Sequence, residues 1–279
     1  MMKRLFASCA LAFCGGAVSA DLQPIKDAGP YVPSPQSVVS DMLRYADVGP
    51  SDFLIDLGSG DGRIVLTAAK VFGARGFGVE IKDDLVRRSN EAAKNEGLAD
   101  RVKFLKQDLF KTDMSQATVI TMYLLPDTVN LLKDKFLQEL KPGTRIVSHD
   151  YPLTGWIPEK YVQMDLEDKV QISGVTTTLI YLYIVPAKVA GSWKAQMPAA
   201  MTKQPATLSL KQQLTRVTGS LRLDGRDLPL EEVKLRGDQI TFRLSGRKGE
   251  FSGRVLGKEI QGVVTTGGTK SPWSATLGG

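Results

Sequence analysis

Residues 53–65 read FLIDLGSGDGRIV: an apolar run, glycines at 58, 60 and 62, then a second apolar run, with Asp56 and Asp61 flanking the first two glycines. The first run predicts a short buried strand. The second begins a helix whose apolar spacing lasts to Gly73, a stop signal. A glycine loop between a strand and a helix is where a nucleotide-like ligand meets bare backbone.

Its spacing differs from the dinucleotide fingerprint, in which the third glycine falls one residue later. Charge separates the two cases more sharply. A pyrophosphate rests on the helix N-terminus and needs donors there, whereas Asp56 and Asp61 put acid beside that position. Like charges a few ångströms apart repel by about 1 kcal/mol or more even when partly solvated. The loop therefore disfavours phosphate and favours a ligand with a positive end. Glu80, 22 positions after Gly58, closes the next apolar run, where a carboxylate can accept both hydroxyls of a ribose. A cationic, phosphate-free nucleoside satisfies both conditions, and S-adenosylmethionine is one.

Outward from the loop the pattern alternates. ARGFGVEI (74–81), RVKFLKQDLF (101–110), ATVITMYLL (117–125) and TRIVSHDY (144–151) predict strands. KDDLVRRSNEAAKNEGLA (82–99) and PDTVNLLKDKFLQELKPG (126–143) predict helices between them. Such alternation gives an α/β, Rossmann-like doubly wound sheet with ligands at the carboxyl ends of its strands. TTTLIYLYIVP (176–186) has no helix after it and predicts an antiparallel strand at or near the sheet edge.

DLGSGDGR, GFGVEI and KFLKQDLF, in that order, resemble the class I S-adenosylmethionine-dependent methyltransferases. More narrowly, YVPSP, LGSGDGRIV and YPLTGWIP resemble the lysine methyltransferases of the ATP synthase c-subunit and the adenine nucleotide translocase. A weaker likeness, in VNLLKDKFLQELKPGTRIVS, is to the seven-strand histone lysine methyltransferases. The resemblance covers about Tyr31 to Pro158 and implies a protein lysine as acceptor. It implies that Asp56, Gly58, Ser59 and Gly60 line the methionine end, that Glu80 holds the ribose, and that Asp108 and Leu109 meet the adenine. Asp61 is either a helix cap or a ligand contact, and Asp108 either a turn residue or a binding one.

Methyl transfer to an amine needs near-attack geometry, exclusion of water and a neutral acceptor nitrogen. Tyr123, at the end of the fourth strand, stands where this class presents its acceptor, unless it is an ordinary strand-end aromatic. His149 has the intrinsic pKa of a proton acceptor near neutrality, although a lone histidine also serves in packing. Asn130 offers a side-chain carbonyl, and Tyr31 could cover the donor as a lid.

Charge divides the chain. Residues 21–190 carry 20 Lys+Arg against 23 Asp+Glu, a net of −3, and residues 191–279 carry 14 against 7, a net of +7. A linker over 191–205 is expected from its Pro, Ala and Gly. Residues 206–279 read as short alternating strands broken by glycine, a small antiparallel all-β domain. An apolar-x-Gly-x-apolar pattern at 217–221, 251–255 and 260–264 suggests a curved sheet or barrel with close strand approach. The excess charge is either a solvated face or a surface for anionic phospholipid or cell-wall polymer. Few aromatics accompany it, so nucleic acid is not expected as a partner.

MMKR followed by a 14-residue apolar run and Val18-Ser19-Ala20 reads as a cleavable signal peptide over residues 1–20, with export to the periplasm or beyond. Both cysteines, Cys9 and Cys14, fall inside it, so thiol chemistry is not expected of the mature chain. With His149 the sole histidine, neither is a histidine metal site. Two function classes follow: a methyltransferase, favoured by the motifs, and an exported non-catalytic binder of a small ligand, suggested by the leader. The oligomeric state is left open.

Overall fold

The computed structural model describes residues 31–278, so the expected leader lies outside the described residues. Strand β1 (Phe53–Leu57) runs into the glycine loop and helix α2 (Arg63–Phe72). Gly62 and Gly73 bound α2, each in the left-handed conformation that glycine adopts without steric cost. β2 (Arg75–Glu80), α3 (Asp83–Asn95), β3 (Val102–Lys106), β4 (Val119–Met122) and β5 (Arg145–His149) follow the expected alternation. The sheet order is β3-β2-β1-β4-β5-β7-β6, with β6 at Lys160–Asp165 and β7 at Thr177–Ile184. Strand order reverses between β1 and β4, which opens a crevice at their carboxyl ends.

Alternate side chains of each strand bury into two cores. Leu54, Val119, Val147 and Leu182 pack with α1 (Gln36–Tyr45), α2 and α3. Ile55, Ile120, Met122 and Ile146 pack with α4 (Pro126–Leu131) and α5 (Lys133–Glu139). Pro126 at the first turn of α4 supplies the fixed φ that starts a helix. The single helix expected over 126–143 is two short ones meeting at the buried Leu132. At that junction Asn130 Oδ1 accepts the Thr154 N–H at 2.9 Å and Lys133 Nζ donates to the Thr154 carbonyl at 2.6 Å. At the other edge Asn90 bonds both the N–H and the carbonyl of Phe104, satisfying backbone that β3 would otherwise expose.

The late strand β7 is antiparallel to β5, as expected, but it is not the outermost strand. β6 pairs outside it, from Lys160 opposite Leu182 to Asp165 opposite Thr177. Its residues are largely exposed, so KYVQMD lacks the apolar alternation that marks a strand.

The carboxyl-terminal part is a closed eight-stranded antiparallel barrel. It runs as a meander from β8 (Gly191–Gln196) and β9 (Ala206–Gln213) to β15 (Thr269–Leu277), which pairs back onto β8. β8 corrects the expected linker. Trp193 and Ala195 point inward and are buried, but two apolar residues in six are too short a signal to read. Inside, the Phe242 and Phe251 rings stack at 4.7 Å, with Trp273 edge-on to both at 5.7 and 5.8 Å. Part of the basic excess is used locally, in Arg222–Asp227, Arg254–Asp238 and Arg243–Glu232 pairs.

The glycine pattern has its cause here. A Cβ on Gly219 would lie 2.1 Å from the Ser209 carbonyl oxygen, and one on Gly262 2.0 Å from that of Ser252. Gly262→Ala should therefore destabilise the barrel by about 2–3 kcal/mol, read as a lower urea midpoint. An unchanged midpoint would mean that the strands have room to separate.

Candidate active site

The glycine loop, the ends of β2 and β4, and the turn after β3 enclose one open cleft of about 990 Å3, counting its mouth. Asp56, Gly58, Ser59, Gly60, Asp61, Glu80, Asp108, Leu109 and Tyr123 all line it. His149 and Asn130 do not line it.

The loop can approach a ligand because it carries no side chains where it turns. Gly58 and Gly60 have φ of 75° and 53°. A Cβ on Gly58 would meet Leu124 at 2.7 Å, and one on Gly60 would meet the Tyr31 ring at 2.4 Å. Glu80 fixes the loop's height: its Oε2 accepts the Gly60 N–H at 3.0 Å, while Oε1 accepts the N–H groups of Ile81 and Lys82 at 2.8 and 3.0 Å. A carboxylate offers about four acceptor directions; three are taken by these N–H groups, and the one left, on Oε2, can accept a ribose hydroxyl. From beneath, the buried Ser89 hydroxyl lies 2.8 Å from the Leu85 carbonyl and 3.2 Å from the Gly60 carbonyl, so its one proton is shared between helix α3 and the loop.

Asp56, one residue before the end of β1, is only 2% exposed, with the Thr121 hydroxyl donating to it at 2.7 Å. Burial pushes its pKa up to about 7, and the nearby Asp61 and Glu80 add to the rise. Ser59 Oγ is buried in the same wall and has no hydrogen-bond partner among the described residues. Asp56 is a buried acid among the residues that line the cleft, a group that a cationic ligand would satisfy, while the Ser59 hydroxyl lies against Gly78, where a Cβ would come within 2.5 Å of it.

Asp61 differs from expectation. Its carboxylate forms a fork with the Arg63 guanidinium, Nε to Oδ1 at 2.9 Å and Nη2 to Oδ2 at 2.6 Å, and its pKa is lowered by that pairing despite partial burial. Its charge is thus largely spent within the protein, and the acidity offered to a ligand comes from Asp56 and Glu80. Asp61 also accepts the Arg63 N–H at 3.2 Å, although the residue at the helix cap is Gly62.

Arg63 was not singled out by the sequence, since a pair two residues apart has no helical signature. It does more than neutralise. Its Nη1 donates to the Ser34 carbonyl at 2.8 Å and so ties residues 31–35 across the loop. Tyr31 lies over Gly60 with its hydroxyl bonded to Asp61, and burial pushes its pKa up to about 12. The expected lid is therefore a strap already seated on the cleft.

Asp108 accepts the Phe110 N–H at 2.9 Å and opens the short 3-10 turn Leu109–Lys111. It is a turn residue and a cleft residue at once. Asn130 instead spends its carbonyl on Thr154.

His149 is wholly buried behind Tyr123, the ring centroids 4.0 Å apart, and shares a hydrogen bond between Nδ1 and the Ser34 hydroxyl at 2.8 Å. Burial lowers its pKa to about 4, so it is neutral near pH 7. That corrects its expected role as a base: nothing places it against the cleft, and it holds the strap and the Tyr123 ring. Tyr123 donates its hydroxyl proton to Asp150 Oδ2 at 3.1 Å, and burial with that carboxylate raises its pKa.

Comparison with known proteins agrees with this geometry. Residues 56–160 match the ANTKMT methyltransferase domain. A protein-lysine N-methyltransferase of Saccharolobus islandicus (strain REY15A) is 41% identical over 157 residues, which is 56% of this chain and 93% of that protein. The chain belongs to the S-adenosylmethionine-dependent methyltransferases.

An adenine nucleotide translocase lysine N-methyltransferase of Mus musculus is 33% identical over 135 residues, 48% of this chain and 58% of its own length. The crystal structure of an RNA methyltransferase from Salinibacter ruber in complex with S-adenosyl-L-homocysteine is 44% identical. It superposes with a TM-score of 0.51, over 57% of this chain and 96% of that one. The family match ends at residue 160, before the barrel begins at β8.

For this methyltransferase the Asp56 shift sets a pH dependence. The cationic donor favours the ionised carboxylate, so its affinity should rise with pH through about 7 and level off above. The folded pKa lies above the ordinary 3.8, so the stability that protonated Asp56 contributes is full below about pH 4 and is lost as pH rises to about 7. Asp56→Asn should be at least as stable as the wild type at pH 8 and bind the donor at least about tenfold more weakly. Calorimetric titration from pH 5.5 to 8.5 reads the first effect and thermal melts read the second; flat profiles in both would refute the assignment.

Proposed function

We propose that this methyltransferase transfers the methyl group of S-adenosylmethionine to the side-chain amine of a protein lysine. The observation that carries the reading is the likeness to the Saccharolobus protein-lysine N-methyltransferase across 93% of that protein. The vertebrate lysine methyltransferases of similar sequence support it. S-adenosylmethionine supplies an electrophilic methyl group on a sulfonium sulfur. Asp56 and Ser59 meet its polar methionine end, Glu80 its ribose, and Asp108 with Leu109 its adenine. The strap of Tyr31 over the loop keeps water out. Tyr123 and Leu124 border the place where an acceptor nitrogen arrives, and enclosure by the Tyr123 ring favours the neutral amine over the ammonium.

The name of the Salinibacter structure raises RNA as a second acceptor class. A polyanion binds through a cationic surface, and residues 21–190 carry a net of −3. The part that holds the cleft thus offers a polyanion no net attraction, and the net of +7 lies in residues 191–279. The non-catalytic binder is not favoured, because the relatives that match are methyltransferases.

We also infer export of the chain through the leader read at residues 1–20. Amino-terminal sequencing of the protein from a cell envelope fraction should begin at Asp21; an intact Met1 would overturn that step.

Tritium from labelled donor, incubated with the full chain and a membrane extract, should appear in protease-sensitive material and elute as N-methyl-lysine after acid hydrolysis. Label in nuclease-sensitive material would replace the lysine reading with RNA. Tyr123→Phe should lower the transfer rate by about 10- to 100-fold with donor affinity within about twofold of wild type.

A further inference from the structure

Behind Tyr123 stands a charged cluster that neither the donor site nor the lysine reading uses. Asp150 follows β5 with φ of 63°, a left-handed backbone unusual for a residue with a side chain. Such a conformation persists only where its surroundings over-determine it, and here they do. The Asp150 N–H donates to the Leu179 carbonyl at 2.7 Å, and Oδ1 accepts the Leu179 N–H at 3.0 Å. Lys169, in α6 (Glu167–Ser173), is 2% exposed and places its ammonium 2.7 Å from each carboxylate oxygen. The carboxylate is thereby locked in one orientation, with Oδ2 receiving the Tyr123 hydroxyl proton at 3.1 Å.

A phenol hydroxyl has one proton and two lone pairs. With its proton held by Asp150, the Tyr123 oxygen can only accept from whatever else reaches it. Were that carboxylate missing, the hydroxyl would rotate and could offer its proton to the acceptor nitrogen, occupying the lone pair that must attack the methyl carbon. His149, pressed on the Tyr123 ring, is kept neutral by burial and adds no cation beside an incoming amine.

We propose that Asp150 is a positioning residue for methyl transfer: it fixes the Tyr123 hydroxyl as a hydrogen-bond acceptor toward the cleft, so that an acceptor amine donates an N–H to it and keeps its lone pair for the donor. The inference rests on the amine-acceptor reading above. Lys169 and the left-handed turn hold Asp150 in that role, and neither touches the substrate.

The test needs no identified acceptor. Sinefungin carries a charged amine where the donor carries its sulfonium methyl, so its amine probes the position that an acceptor nitrogen approaches, and S-adenosylhomocysteine lacks it. Calorimetry on the full chain gives the ratio of the two affinities. Because Asp150→Ala alone takes the carboxylate away from the buried Lys169 ammonium, the variants are paired: Asp150→Ala with Lys169→Met, and Asp150→Asn with Lys169→Met, whose amide oxygen can still accept the hydroxyl proton.

Sinefungin should bind the wild type at least about tenfold more tightly than S-adenosylhomocysteine, the worth of one charge-assisted hydrogen bond. That advantage should shrink by about tenfold in Tyr123→Phe and in the Ala pair and return in the Asn pair, with S-adenosylhomocysteine binding unchanged throughout. Equal ratios in the Ala and Asn pairs would overturn the role of Asp150 while leaving the donor site intact. No binding of either ligand to the wild type would overturn the donor reading itself.

Discussion

The hydrogen bond from the Gly60 N–H to Glu80 governs the whole donor site. It joins the loop after β1 to the end of β2, and the same carboxylate caps the chain entering α3 through Ile81 and Lys82. With the loop held at that height, Asp56 is sealed below it and Tyr31 can lie flat above it. A side chain at Gly60 would strike the tyrosine ring, and one at Gly58 would strike Leu124. Bare backbone is therefore demanded from two directions by the protein's own packing before any ligand enters.

Burial converts acid into selectivity here. An exposed aspartate would be satisfied by water and indifferent to a ligand, but Asp56 at 2% exposure meets a single hydroxyl donor and pays a desolvation cost for its charge. A cation placed against it relieves that cost, whereas an anion raises it. Asp61, equally acidic in sequence, takes the opposite course: paired to Arg63, it becomes the anchor through which residues 31–35 are tied across the cleft. The selection against phosphate thus rests on Asp56 and Glu80, while Asp61 shapes the roof.

Most of this site was legible in the sequence because it is local. Glycine spacing, the acids around it, the carboxylate ending β2 and the Asp108-Leu109 turn each sit where a strand gives way to a loop, and strands were readable from apolar runs. What escaped was long-range or weakly apolar. Arg63 reaches Ser34 across 29 positions, and Lys169 reaches Asp150 across 19, with no periodic signature in either case. β6 is an exposed edge and β8 buries little more than Trp193 and Ala195, so both lacked the patterns that mark strands. His149 misled for a different reason: its intrinsic pKa suits a base, but burial, which a sequence does not display, takes it to about 4.

The barrel's placement follows from where it touches the sheet. Leu214, at a hairpin tip, packs on the core shared by β5, α4 and α5. Gly237 lies against Gly143, its carbonyl accepts the Ala187 N–H at 2.8 Å, and Arg236 pairs with Glu159 at 2.7 Å. Gly143 lies two residues before β5, and Glu159 precedes β6 where that strand pairs with the end of β7. These contacts lie at the amino end of β5, whereas Tyr123, Asp150 and the glycine loop lie at the carboxyl ends of their strands. An acceptor therefore reaches the cleft without passing the barrel contacts. The strap over Gly60 and the aromatic wall at Tyr123, rather than the added domain, bound the space in which its nitrogen must align.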